Sequence, residues 1–257
     1  MVKPKKHLGQ HFLKDLTIAQ KIADLLQSPA EIPVLEIGAG TGVLTQFLLN
    51  KPNPLYIIEI DSESIRYLKE HFATIATQNR LWEGDFLTMD LHSNFFSNIA
   101  IIGNFPYNIS SQIFFKILEN RKQVVEVVGM LQKEVAERLA SPPGSKEYGI
   151  LSVLLQAYYE VKYHFTVSEN VFQPPPKVKS GVIRLQRNST QILPCNELLF
   201  FEVVKTAFNQ RRKTLRNALQ KFIRTESFKN ESMLQKRAEQ LSVSDFVFLT
   251  QKIQEQS

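Results

Sequence analysis

The sequence predicts an α/β fold: a doubly wound, mostly parallel sheet with antiparallel closing strands, and a small C-terminal all-helical domain. Three observations predict it. Short apolar runs alternate with helical patterns through most of the chain. A glycine-rich turn follows the first of these runs, where open α/β sheets bind their ligands. Strand signals then stop after Asn188, and amphipathic helical patterns take over.

The elements follow in order. Val34–Ile37 reads as a strand ending at Gly38, and residues 43–50 as a helix stopped by Pro52 and Pro54. Leu55 to Ile60 is a second strand, after which Ser62 is expected to cap a helix reaching Phe72. Leu81 to Glu83 is a third strand before Gly84-Asp85. Ile99 to Gly103 is a fourth, followed by a helix over 110–119. Val124 to Leu131 is a fifth, followed by a helix over 133–139. Tyr158 to Val167 and Gly181 to Arg187 lack a long helix between them, so they predict an antiparallel closing pair. Residues 198–208, 214–222, 232–241 and 244–253 predict four helices. The expected domains are 1–188, with a basic segment at 1–14, and 189–257.

With 257 residues, 43% hydrophobic and 22% charged, the composition is that of a soluble globular chain. It has no apolar run long enough for a membrane helix, and no h-region follows the basic start. A single cysteine, Cys195, excludes an internal disulfide and a multi-cysteine metal site, and a reducing cytoplasm is the expected compartment. No metal site and no obligate protein partner are expected, and the chain is expected to be a monomer. The net charge of +6 is unevenly spread: +4 over 1–14, −6 over 15–176, +9 over 177–224 and −1 over 225–257. Two basic blocks around an acidic middle predict a polyanionic partner.

The first strand runs into Glu36-Ile37-Gly38-Ala39-Gly40-Thr41-Gly42. A dinucleotide fingerprint needs a small residue where Val43 stands, and a phosphate-binding Walker loop needs a lysine that is absent. The spacing resembles the S-adenosylmethionine loop of Rossmann-like class I methyltransferases. Glu59 ends the second strand, where a carboxylate can accept ribose hydroxyls. Of Glu59 and nearby Asp61, only one is expected to face a ligand, and Glu59 is taken. Asp85, after the third strand, is placed to accept an adenine amine.

After the fourth strand comes Asn104-Phe105-Pro106-Tyr107, which resembles the signature of methyltransferases acting on exocyclic nitrogens. Adenine N6 is a poor nucleophile because its lone pair is delocalised. The Asn104 oxygen and the Phe105 carbonyl can each accept an amine N–H, which aims the lone pair and stabilises developing positive charge. Pro106 restrains the loop, and Tyr107 supplies a stacking face. Phe172, before Gln173-Pro174-Pro175-Pro176-Lys177-Val178, is expected to close the other side of the base. Lys177, Arg211, Arg212, Lys213 and Arg216 are expected to hold RNA phosphates, the last four on a helix start where Arg212 and Arg216 share a face.

With these strings in this order, and Lys5-Lys6-His7-Leu8-Gly9-Gln10-His11-Phe12-Leu13 at the start, the chain resembles the ribosomal RNA small-subunit adenine dimethyltransferases, the kasugamycin-resistance methyltransferases of bacteria. The resemblance implies dimethylation at N6 of two adjacent adenosines near the 3′ end of 16S rRNA in an assembling small subunit. It implies S-adenosylmethionine as methyl donor, with His11 and Leu13 at its methionine end. Glu36, Gly38, Gly40, Glu59, Asp85 and Asn104 complete that site. Many relatives carry Asn where this chain has His11. The rival readings are a large-subunit rRNA adenine dimethyltransferase of the macrolide-resistance type, a DNA adenine methyltransferase, a non-catalytic assembly factor and a NAD-dependent oxidoreductase. The proline string and the Arg-Arg-Lys cluster favour the small-subunit enzyme.

Overall fold

The computed structural model describes residues 2–256. The strands are β1 (Phe12–Leu13), β2 (Val34–Ile37), β3 (Leu55–Glu59), β4 (Leu81–Glu83), β5 (Ile99–Asn104), β6 (Val124–Gln132), β7 (Tyr159–Val167), β8 (Phe172–Gln173) and β9 (Ser180–Arg187). The helices are α1 (Leu16–Asp24), α2 (Thr45–Leu48), α3 (Ser62–His71), α4 (Ala73–Thr77), α5 (Leu91–Asn94), α6 (Ser110–Glu119), α7 (Lys133–Ala140), α8 (Ile150–Gln156), α9 (Glu197–Asn209), α10 (Leu215–Ala218), α11 (Glu226–Lys229) and α12 (Val243–Gln254).

The seven-stranded sheet has the order β4-β3-β2-β5-β6-β9-β7. β2 pairs in parallel with both β3 and β5, and β6 pairs in parallel with β5 but antiparallel with β9. This is the Rossmann-like methyltransferase sheet that the sequence predicts. Its central strands are apolar on both faces because helices cover both; all four residues of β2 are buried. The order reverses between β2 and β5, which opens a crevice beyond their carboxyl ends. A separate two-stranded ladder pairs β1 with β8, Leu13 opposite Phe172.

The chain divides into two compact units. One takes the residues up to Ala136 together with Val161–Arg187. The other takes Glu137–Glu160 together with the chain from Asn188 onward. The excursion 137–160 groups with the C-terminal helices, although the sequence reading places it before the expected boundary. Within that helical unit Tyr148, Tyr158, Phe200 and Phe246 are fully buried, and Phe208 stacks on Phe246 at 6.0 Å.

Four local differences have physical causes. Asp61, not Ser62, caps α3, accepting from the Glu63 N–H with a side chain shaped for that bond. The pattern over 232–241 folds as two 3-10 turns, since apolar residues three apart suit a tight turn as well as a helix. The Arg211-Arg212-Lys213 cluster lies in a turn after α9 rather than on a helix. Its Lys213 N–H closes onto the Gln210 carbonyl at 2.8 Å, so the expected shared face of Arg212 and Arg216 does not form. Finally α1, not read from the sequence, is capped by Asp15 and buries Ala19, Ile22 and Ala23 at helical spacing.

Candidate active site

A cavity opens at the carboxyl ends of β2, β3, β4 and β5, lined by Leu8–Phe12, Gly38, Gly40, Glu59, Gly84–Phe86 and Asn104–Tyr107 among others. It gathers His11, Gly38, Gly40, Glu59, Asp85, Asn104, Phe105, Pro106 and Tyr107, all singled out from the sequence. Glu36 and Leu13 line a smaller cavity instead, which shares Phe12, Gly38, Gly40 and Asn104 with the first.

The glycine turn is left-handed at Gly38 and Gly40, with φ of 69° and 58°. A Cβ at Gly40 would stand 2.8 Å from the Phe12 ring, whereas one at Gly38 would meet nothing within 4 Å. The turn therefore packs on its Phe12 side and stays open at Gly38. Glu59 is 3% exposed, and its carboxylate accepts three backbone N–H bonds at 2.9 Å, from Gly40, Ile60 and Asp61. Burial pushes its carboxyl up, against those three bonds. The neighbouring Glu36 is buried with its Oε2 accepting from the Thr45 hydroxyl at 2.7 Å, and burial pushes it up to about 8. Asp85 Oδ1 accepts from the Leu87 N–H at 2.8 Å.

Residues 59 and 61 share a strand face, so strand alternation does not separate them. What separates them is that β3 ends at Glu59. The buried Asp61 turns away to receive Lys5, the Gln10 amide at 3.3 Å and the Ser64 hydroxyl at 2.9 Å. Burial pushes Asp61 up, but Lys5, Ser64 and Gln10 together hold its carboxyl below the usual value. This latch ties the N-terminal segment across the β3–α3 junction. The sequence gives no local sign of it.

The Asn104 loop is fixed from three sides. The Phe105 N–H donates to the Met130 carbonyl at 2.9 Å, and the Phe105 ring is buried over Gly129, where a Cβ would lie 2.5 Å from it. The Asn104 Nδ2 donates to the His11 carbonyl at 2.9 Å. That bond settles which way the amide faces: Oδ1 is left as the acceptor able to take an amine N–H. His11 thus serves Asn104 through its main chain, which any residue at that position supplies. Its ring lies 5.5 Å from Tyr107, and its Nδ1 bonds the Pro174 carbonyl at 2.9 Å.

Phe172 does not close the cavity. It is 1% exposed, paired with Leu13 and packed in the apolar cluster with Ala39, Leu44 and Val182. An aromatic ring beside a stiff proline string fills a core as readily as it stacks on a base, and here the core takes it. Lys177 is exposed between β8 and β9. In the helical unit, Arg211 and Arg212 line a shallow basic cavity with Lys146 and Arg237, and Arg216 lines another with Arg224 and Lys229. Lys146 and Arg237 give no local sign of this role because both lie far along the chain from the cluster. Among the described residues, no group of three or more His, Cys, Asp or Glu could hold a metal ion, and no helix is long and apolar enough to cross a membrane.

An open glycine cradle, backbone-fixed acids at strand ends and an oriented amide fit S-adenosylmethionine. The donor's cationic groups suit acids, and its ribose suits acceptors. Fold and likeness together define the class, an S-adenosylmethionine-dependent methyltransferase. The Ribosomal RNA adenine dimethylase family model matches residues 1–255, and the chain belongs to that family. Ribosomal RNA small subunit methyltransferase A of Bacteroides thetaiotaomicron is 55% identical over 257 residues, 99% of this chain and 96% of its own. That of Parabacteroides distasonis is 57% identical over 251 residues, 97% and 94% of the two chains. Among solved structures, a dimethyladenosine transferase from Plasmodium falciparum superposes with TM-score 0.79 at 28% identity, covering 95% of this chain and 98% of its own. The 23S rRNA methyltransferase ErmE shares the fold, with TM-score 0.71 at 23% identity, covering 93% and 99%.

Proposed function

We propose that the protein dimethylates N6 of two adjacent adenosines near the 3′ end of 16S rRNA, in the assembling small ribosomal subunit. The observation that carries the chemistry is the Asn104 amide, whose Nδ2 is held by the His11 carbonyl, leaving Oδ1 as the acceptor for an incoming amine. The target class is supported by the relatives above 50% identity that are named as small-subunit methyltransferases.

Bound S-adenosylmethionine supplies an electrophilic methyl group. The chain's own residues do the rest. Gly38 admits the donor close to the main chain, Gly40 lines the cavity beside Phe12, and Glu59 and Asp85 offer acceptors to its ribose and adenine. Glu36 adds an acid beneath the glycine turn. His11 and Leu13 border the same cradle. Asn104 Oδ1 and the Phe105 carbonyl take the amine's N–H bonds, so the lone pair points at the methyl carbon. Asn keeps the acceptor neutral, and no strong base is needed, because the nitrogen turns acidic once methylated. After one transfer, one N–H remains and one acceptor still orients it. Pro106 and Tyr107 frame the base. In the helical unit Arg211, Arg212, Lys213 and Arg216 hold phosphates, joined by Lys146 and Arg237; in the sheet unit Lys177 does so.

Mass spectrometry of rRNA incubated with the protein and S-adenosylmethionine tests this. Two dimethyladenosines in small-subunit rRNA are expected. Methylation confined to large-subunit rRNA would instead give the macrolide-resistance activity and reject the assignment.

A further inference from the structure

The string Val171–Ser180 meets the cavity at two points that no motif reading assigns. The Pro174 carbonyl bonds the His11 ring, and the Ser180 Oγ lies 2.5 Å from the Tyr107 hydroxyl. Ser180 is fully buried at the start of β9, opposite Gln132 of β6. Its main chain is fixed there, because the adjacent Lys179 carbonyl accepts from the Lys133 N–H at 2.9 Å. At the other end of the tyrosine, the Tyr107 carbonyl accepts the Ser110 hydroxyl at 3.2 Å as α6 begins.

Resting on the reading of the Asn104 loop given above, we infer that Ser180 is a positioning residue that sets the Tyr107 ring against the target base. A tyrosine held only by its main chain swings about two side-chain bonds. One held also by its hydroxyl presents a single face, and the cost of ordering it is met during folding rather than when the base arrives. Burial raises the Tyr107 phenol, so it stays protonated and keeps this bond across the working range. The string thus acts on the site through a hydroxyl and a carbonyl, while its aromatic residue, Phe172, serves the core.

Steady-state methylation of undermethylated small subunits tests the inference. Ser180→Ala and Tyr107→Phe delete one hydrogen bond from its two sides. Each is expected to lower kcat about three- to tenfold at unchanged KM for the methyl donor. The double variant is expected to be no slower than either single one, because both remove the same bond. Losses that multiply in the double variant, or Ser180→Ala at wild-type kcat, overturn the inference. Tyr107→Ala separates this from the reading of the loop. Wild-type turnover there overturns the loop reading, whereas a slow Tyr107→Ala beside a normal Ser180→Ala overturns only the positioning role. Should Ser180→Ala not fold, Tyr107→Phe decides alone, unchanged kcat overturning the inference and the stated loss supporting it.

Discussion

The cavity of the sheet unit and the basic turn of the helical unit contain the chain's two densest functional strings, yet they are built on opposite principles. In the cavity nearly every polar group has a designated partner: Glu59 three backbone N–H groups, Asn104 the His11 carbonyl, Tyr107 the Ser180 hydroxyl. In the turn after α9, Arg212 and Lys213 are exposed, and what they offer is charge. On the proposed function, the first region would recognise by geometry and should fail when one atom moves, whereas the second would recognise by the number of cations and should weaken in proportion.

The largest expected effect tests the geometric side. Asn104→Ala should cut turnover about a hundred- to a thousandfold while rRNA binding persists. Near-normal turnover would show that the Asn104 amide does not orient the amine. Next comes the electrostatic side. Neutralising Arg211, Arg212 and Lys213 should weaken rRNA binding about ten- to a hundredfold and reduce the slope of log affinity against log salt by about two to three. An unchanged slope in filter binding would show that the turn is not a phosphate contact.

A smaller effect concerns the latch. Asp61→Asn can still cap α3 but loses its charge toward Lys5, so the segment lining the cavity is held less firmly. The KM for S-adenosylmethionine should rise about tenfold, and high salt should shrink the difference from wild type. Equal KM values at low salt would remove Asp61 from the account. A separate effect is on stability rather than on turnover or binding. Glu36 is raised from 4.5 to about 8 by burial, so the folded state keeps a proton that the unfolded chain releases above about 4.5. Its stabilising share is complete below that pH and lost as pH rises through 8, a change of at most about 5 kcal/mol. Glu36→Gln should therefore flatten the fall in thermal stability between pH 5 and 8. A parallel fall in both proteins would mean that Glu36 ionises freely.

The same contrast governs what was legible in the sequence. Strands buried on both faces announce themselves as apolar runs, and a turn needing positive φ announces itself by glycine, so β2, β3, β5, β6 and the Gly38 turn could be read directly. Acids at strand ends are legible because they follow apolar runs at the carboxyl edge, where an open α/β sheet binds its ligand. Illegible were the links between distant segments. Lys5 gives no sign of Asp61, nor Ser180 of Tyr107, and the grouping of 137–160 with the C-terminal helices rests on packing between sequence-remote faces. The place of Phe172 in the core is equally hidden, because a ring's local neighbours do not tell core from stacking.

Glu59 carries a practical consequence. Its carboxylate pins the glycine turn and the β3–α3 junction together through Gly40, Ile60 and Asp61. A glutamine there would set an NH2 group against backbone N–H donors. The residue most inviting as a knock-out of donor binding is therefore also a staple of the scaffold, and its loss would confuse a missing ligand contact with a loosened wall. Asp85, whose carboxylate accepts a single backbone N–H at 2.8 Å, is the cleaner place to cut.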